Sequence, residues 1–135
     1  MNNIERTAGL VATPGYEYAR RVGDQLLVAG QVPHDSAGSL VGHEDPHAQA
    51  VQCLQNLRTL LAVHGFASSD VQRLVVYVVG PHAALASAWS GVKAWFSGRT
   101  PPATLLGVAA LGHTGQLVEI DATVIKASSP SSSDA

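Results

Sequence analysis

Charge is what this chain is short of: Asp, Glu, Lys and Arg make up only 13% of it, against roughly 25% in ordinary globular domains. The shortage excludes an electrostatic grip on nucleic acid, which needs clustered Lys and Arg against phosphates. The eight basic residues are scattered, Arg20-Arg21 is the one adjacent pair, and the formal net charge is −2. A single cysteine, Cys53, excludes an intramolecular disulfide. No apolar run is long enough to span a bilayer. The start, Met1-Asn2-Asn3-Ile4-Glu5-Arg6, lacks the basic-then-apolar layout of a secretory signal, and the expected location is the cytoplasm. Gly38 to Gly42 fits no phosphate loop, so no cofactor is expected. His43 and His47 are four apart, but Asp45-Pro46 between them puts His43 outside any helix, and no metal site is expected.

What is present in ordinary amount is apolar residue, 46% of the chain. Ordinary apolar content with half the usual charge implies that something other than water covers part of the surface, and a homo-oligomer is the simplest cover. The 135 residues suffice for one domain with a real core. That domain is expected over residues 1–126, followed by a disordered serine-rich tail over 127–135.

Residues 1–14 read as an irregular arm. Tyr16 to Val22 and Gln25 to Ala29 flank Gly23-Asp24 as a β-hairpin, and a short strand is expected near Leu40-Val41. Asp45-Pro46 has the form of an N-cap followed by proline at the first helical position. Val51, Leu54, Leu57, Leu60 and Leu61 then recur at helical spacing as far as His64-Gly65, where glycine suits a left-handed C-cap. Val71 to Val79 is almost continuously apolar, which predicts a strand buried on both faces. A second helix follows Gly80-Pro81, with Leu85, Trp89, Val92 and Phe96 as its stripe and Gly98 as its stop. Cys53 reads as a small apolar filler, and His34, His64, His82 and His113 lie at element ends, where exposure is expected.

Two closing strands are predicted at about 103–110 and 116–126. The second alternates strictly. Val118, Ile120, Ala122 and Val124 fall on one face, and Glu119, Asp121 and Thr123 on the other, with the two carboxylates about 6.6 Å apart along the strand. The fold class is therefore α+β: a mixed six-stranded sheet with both helices on one face, reached by right-handed crossovers. The other sheet face is left bare.

With this element order, Gly15-Tyr16, Leu27-Val28-Ala29-Gly30-Gln31-Val32-Pro33, Asn56-Leu57, Val75-Val76-Tyr77-Val78, Pro102-Ala103 and Leu117-Val118-Glu119-Ile120-Asp121-Ala122 together resemble the RidA/YjgF family of imine and enamine deaminases. The resemblance runs from about residue 14 to 126. It implies a chorismate-mutase-like fold and a homotrimer whose sheets form a central barrel, with a small-molecule metabolite bound in the clefts between subunits.

The resemblance further implies that Tyr16, Gly30 and Glu119 stand at the family's site tyrosine, its glycine beside the ligand and its water-positioning glutamate. The family's deaminases grip the substrate carboxylate with an arginine directly after Pro-Ala; Thr104 stands there in this chain. Leu106 replaces a common cysteine, and Trp89 falls near a site asparagine of the second helix. A guanidinium makes two parallel charge-assisted bonds to a carboxylate, which a hydroxyl cannot, and losing such a contact costs on the order of 2–5 kcal/mol. Standard 2-imino-acid deamination is therefore expected to be weak, with Arg99 and Arg20 as candidate substitutes. Two readings stay open: a hydrolase acting on another imine or enamine with Glu119 as general base, or a trimer that senses a ligand or binds a partner without catalysis. An endoribonuclease, the label some relatives carry, runs against the acidic balance.

Overall fold

The computed structural model describes residues 2–127; the serine-rich end lies outside the described residues apart from Ala127. The order is α1 (Asn3–Thr7), β1 (Ala19–Val22), β2 (Gln25–Val28), α2 (Pro46–Val63), a 3-10 turn (Ser68–Asp70), β3 (Val71–Val79), α3 (His82–Trp95), β4 (Ala103–Val108) and β5 (Val118–Ile125).

The first 14 residues depart from the irregular arm expected of them. Asn2 caps α1 by accepting from the Glu5 backbone N–H while Glu5 returns the bond, a reciprocal cap that closes a single turn. Glu5 is buried and bonds His64 Nε2 at 2.7 Å, which ties the arm to the end of α2. His64 is therefore not the exposed side chain its position suggested: it sits only 21% exposed against this partner.

Among the described residues the sheet has five strands in the order β1-β2-β5-β3-β4, not six. The strand expected near Leu40 is a single bridge to His34, too short to join the sheet. Strand β5 runs antiparallel to both β2 and β3, while β4 runs parallel to β3 after the α3 crossover. Both long helices pack on one face. The Asp45 side chain caps α2 by accepting from Ala48 N at 3.1 Å, and Gly65, at φ 80°, takes the left-handed conformation that ends it. Its stripe of Cys53, Leu54, Leu57 and Leu61 meets Leu74, Val76, Val78, Val118, Ile120 and Val124 from the sheet. The helices cross closely at Gly91, where a Cβ would lie 2.8 Å from the His47 carbonyl.

Strand β3 corrects a second expectation. Its Leu74, Val76 and Val78 are buried, but Arg73 is exposed and Val75, Tyr77 and Val79 are only half-buried within one chain. Register places these with Thr104 and Leu106 of β4 and Glu119, Asp121 and Thr123 of β5 on the face away from the helices. On the same side the hairpin leaves Val22 53% and Leu27 52% exposed. Among the described residues no helix is long and apolar enough to cross a membrane.

Candidate functional site

Glu119 lies half-buried on β5. Its Oε1 accepts from Gln116 Nε2 at 3.1 Å, and Gln116, itself buried, is held in turn by donating to Val118 O and accepting from His113 N. The other oxygen, Oε2, lies against Gly30: a Cβ there would overlap it and come within 2.9 Å of Cδ. The Gly30-Gln31 segment is fixed beside β5 because Gln31 and Ile120 exchange both backbone bonds, at 2.7 and 3.1 Å. Glycine is thus needed here for space. Glu119 and Gly30, 89 positions apart in the sequence, meet through this one bridge.

Gly30 borders two hollows. An open cleft of about 350 Å³ is lined by Val28, Gly30, Tyr77, Leu111, Glu119 and Asp121. A smaller cavity of about 120 Å³ is lined by Tyr16, Tyr18, Gly30, His34 and His113 among others. Tyr16 is held there by its own loop, with the Thr13 hydroxyl donating to the Tyr16 carbonyl and Gly15 turning at φ 83°. Burial first, and then the Glu119 carboxylate, push the Tyr16 phenol above its ordinary pKa. It therefore stays protonated at neutral pH and can donate a hydrogen bond. The His34 ring lies against His113 with ring centroids 4.8 Å apart and the planes tilted by 56°. Burial, then His113, push the His34 imidazole down, and its Nδ1 is buried with no partner. Neither His34 nor His113 stood out among the terminal histidines of the sequence.

Of the side chains selected from the sequence, the chain brings Tyr16, Gly30 and Glu119 together. Thr104 and Leu106 lie on the same sheet face but on edge strand β4, with β3 between them and β5. Leu106 is opposite Tyr77, which is opposite Glu119; two ladder steps put Leu106 about 10 Å from Glu119, and Thr104 one row further along about 12 Å away. Trp89 lies on α3 and packs against the main core on the opposite side of the sheet. Cys53 is fully buried, where burial, then Glu119, push its thiol up, so no nucleophilic thiolate is available. Arg20 is ion-paired with Glu17, and Arg99 is exposed in the turn after α3. No group of three or more metal-ligating side chains occurs among the described residues.

The cation beside Thr104 is one that sequence reasoning passed over. Arg73 Nη2 donates to Thr104 Oγ1 at 2.9 Å. A signal was present, since Arg73 is the lone charge in a mostly apolar strand, and period-2 alternation puts it on the face of Val75 and Tyr77. The partner strand was not legible. Gln116, just before β5, was missed because nothing in its neighbourhood marks a glutamine as the holder of a carboxylate three residues on.

Comparison with known proteins agrees with this fold. The family described as Endoribonuclease L-PSP matches residues 7–126. The RutC family protein y4sK of Sinorhizobium fredii is 32% identical over 111 residues, covering 81% of this chain and 85% of that protein. The RutC family protein PH0854 of Pyrococcus horikoshii is 32% identical over 63 residues, and this match spans only 50% of that relative. Among solved structures, RidA from Psychrobacter superposes with a TM-score of 0.75 at 27% identity, covering 85% of this chain and 91% of that one. The YjgF gene product of E. coli gives a TM-score of 0.79 at 23% identity over 89% and 95% of the two chains, a likeness of fold. Matched over residues 7–126 in sequence and over most of the chain in fold, this chain belongs to the RidA/YjgF family, the family also called endoribonuclease L-PSP.

Proposed function

We propose that this chain is a homotrimeric metabolite-binding hydrolase that deaminates an imine or enamine in clefts between subunits, with Glu119 as the base that positions water. The observation that carries it is the state of the Glu119 carboxylate: one oxygen is tied to Gln116 and the other is left bare between Gly30 and the open cleft. A carboxylate so held can accept a proton from water as the water oxygen adds to the imine carbon. The proton passes to nitrogen, and the resulting carbinolamine collapses to a carbonyl and ammonia. The Tyr16 phenol, kept protonated, supplies a donor beside that centre.

Two features support a site completed by a second copy. Glu119 and the β4 residues lie about 10–12 Å apart in one chain, too far for a small metabolite to touch both. The sheet face they share is half apolar and uncovered, with Val75, Tyr77, Val79 and Leu106 half-buried; such a face favours self-association. The protein is expected to sediment at about three times the 14.0 kDa of one chain. A stable monomer at micromolar concentration would contradict the trimer.

Glu119→Gln preserves shape and removes the base, so turnover across a panel of imines and enamines is expected to fall at least about 100-fold while the trimer and ligand binding persist. Thr104 and Leu106, in place of the family's arginine and common cysteine, favour the alternative of a trimer that binds ligand without turning it over. That alternative prevails if the wild-type protein binds such compounds but converts none, and Glu119→Gln alters affinity alone.

A further inference from the structure

We propose that Arg73 is the anion-binding residue of the ligand site and that Thr104 is its positioning residue, so that the site takes a ligand bearing a carboxylate. The open sheet face carries two arginines, and only one has charge to offer. Arg20 is already paired with Glu17, whereas no carboxylate among the described residues lies within ion-pair distance of Arg73. One of its N–H groups is committed to Thr104 Oγ1 at 2.9 Å, which orients the guanidinium plane and leaves the rest of its fork for a ligand. Half-buried Val75 and Leu106 stand on the same face, and an apolar floor strengthens a charge-assisted bond by excluding water. The threonine therefore does not leave the site uncharged. It exchanges an arginine on β4 for one on β3, reached by a hydroxyl across a parallel ladder in which Thr104 faces Val75, two residues beyond Arg73.

This inference rests on the ligand site proposed above, and its test reads a different quantity from the turnover that tests Glu119. Binding of pyruvate and of pyruvamide, its uncharged counterpart, is measured calorimetrically on the full chain. The wild-type protein is expected to prefer pyruvate at least tenfold, and Arg73→Gln is expected to abolish that preference with pyruvamide affinity unchanged. Arg73→Lys, which keeps the charge and loses the fork, should retain part of it. Thr104→Val, which removes the hydroxyl, should lower the preference several-fold, a change in ratio that loss of packing alone would not produce. Glu119→Gln should leave the ratio intact even where turnover is lost. A wild-type protein that does not distinguish the two compounds overturns the proposal. So does an Arg73→Gln variant that keeps the preference, including one in which only trimer stability falls, which would make Arg73 a subunit contact.

Discussion

Gln49→Leu is expected to destabilise the protein by about 4 kcal/mol, near the limit that a domain of this size tolerates. Gln49 is completely buried, and all four of its hydrogen-bonding valences go to backbone. Its Nε2 donates to the carbonyls of Gly42 and Gly115 at 3.0 and 3.1 Å. Its Oε1 accepts from Leu117 N and Val118 N at 2.7 and 3.2 Å. One side chain on α2 thus closes two loops, and leucine of similar volume would strand four backbone groups, each costing about 1–3 kcal/mol where water cannot reach it. A melting temperature lowered by about 10–15 °C is the expected reading. Gln49→Glu should do comparable damage, since an ionised carboxylate repels both carbonyls that the amide holds. A shift under about 1 kcal/mol for either variant would mean that the stranded groups find other partners. The loop from 115 to 118 also carries Gln116, so ligand binding should weaken at temperatures where the fold still stands.

Gly30→Ala separates site from stability in the opposite sense. The backbone at residue 30 is not in the left-handed region, so alanine strains nothing there. What it meets is the Glu119 carboxylate, the far end of a side chain that can swing away at little cost to the fold. It can do so only by leaving Gln116 and the cleft. Displacement by about 1 Å costs on the order of 100-fold in a positioned reaction, and that is the expected loss of turnover, or of ligand affinity if no turnover exists. The melting temperature should move by only a few degrees, about 1 kcal/mol. In the double variant Gly30→Ala/Glu119→Gln, the second change should add almost nothing, because both remove the same carboxylate. Full additivity would mean that Gly30 acts on something other than Glu119.

The elements were legible from local spacing. Gly23-Asp24 marked the hairpin, Asp45-Pro46 and Gly65 bounded α2, and the alternation after Leu117 both named β5 and put Glu119 and Asp121 on one face. The arm was not legible, because its one turn is held by a reciprocal cap and by a Glu5 to His64 contact 59 positions away. The sixth strand failed because Leu40 finds one partner residue and no second. Strand β3 misled because continuous apolarity does not distinguish the two faces: the helices cover Leu74, Val76 and Val78, and within one chain Val75, Tyr77 and Val79 stay half-exposed.

The sequence by itself determined the hairpin, the two long helices and the three strands that follow α2, which face of β5 is acidic, and that Thr104 follows Pro102-Ala103 with no arginine in that place. Those properties are local: helix and strand periods, caps and turns depend on residues a few positions apart. Only the tertiary structure decided that Glu119 rests against Gly30, that Gln49 closes the loop leading to Gln116, and that Arg73 lies against Thr104. Those pairs depend on strand register and sheet order. Both are fixed when the whole core packs at once, and no local pattern carries them.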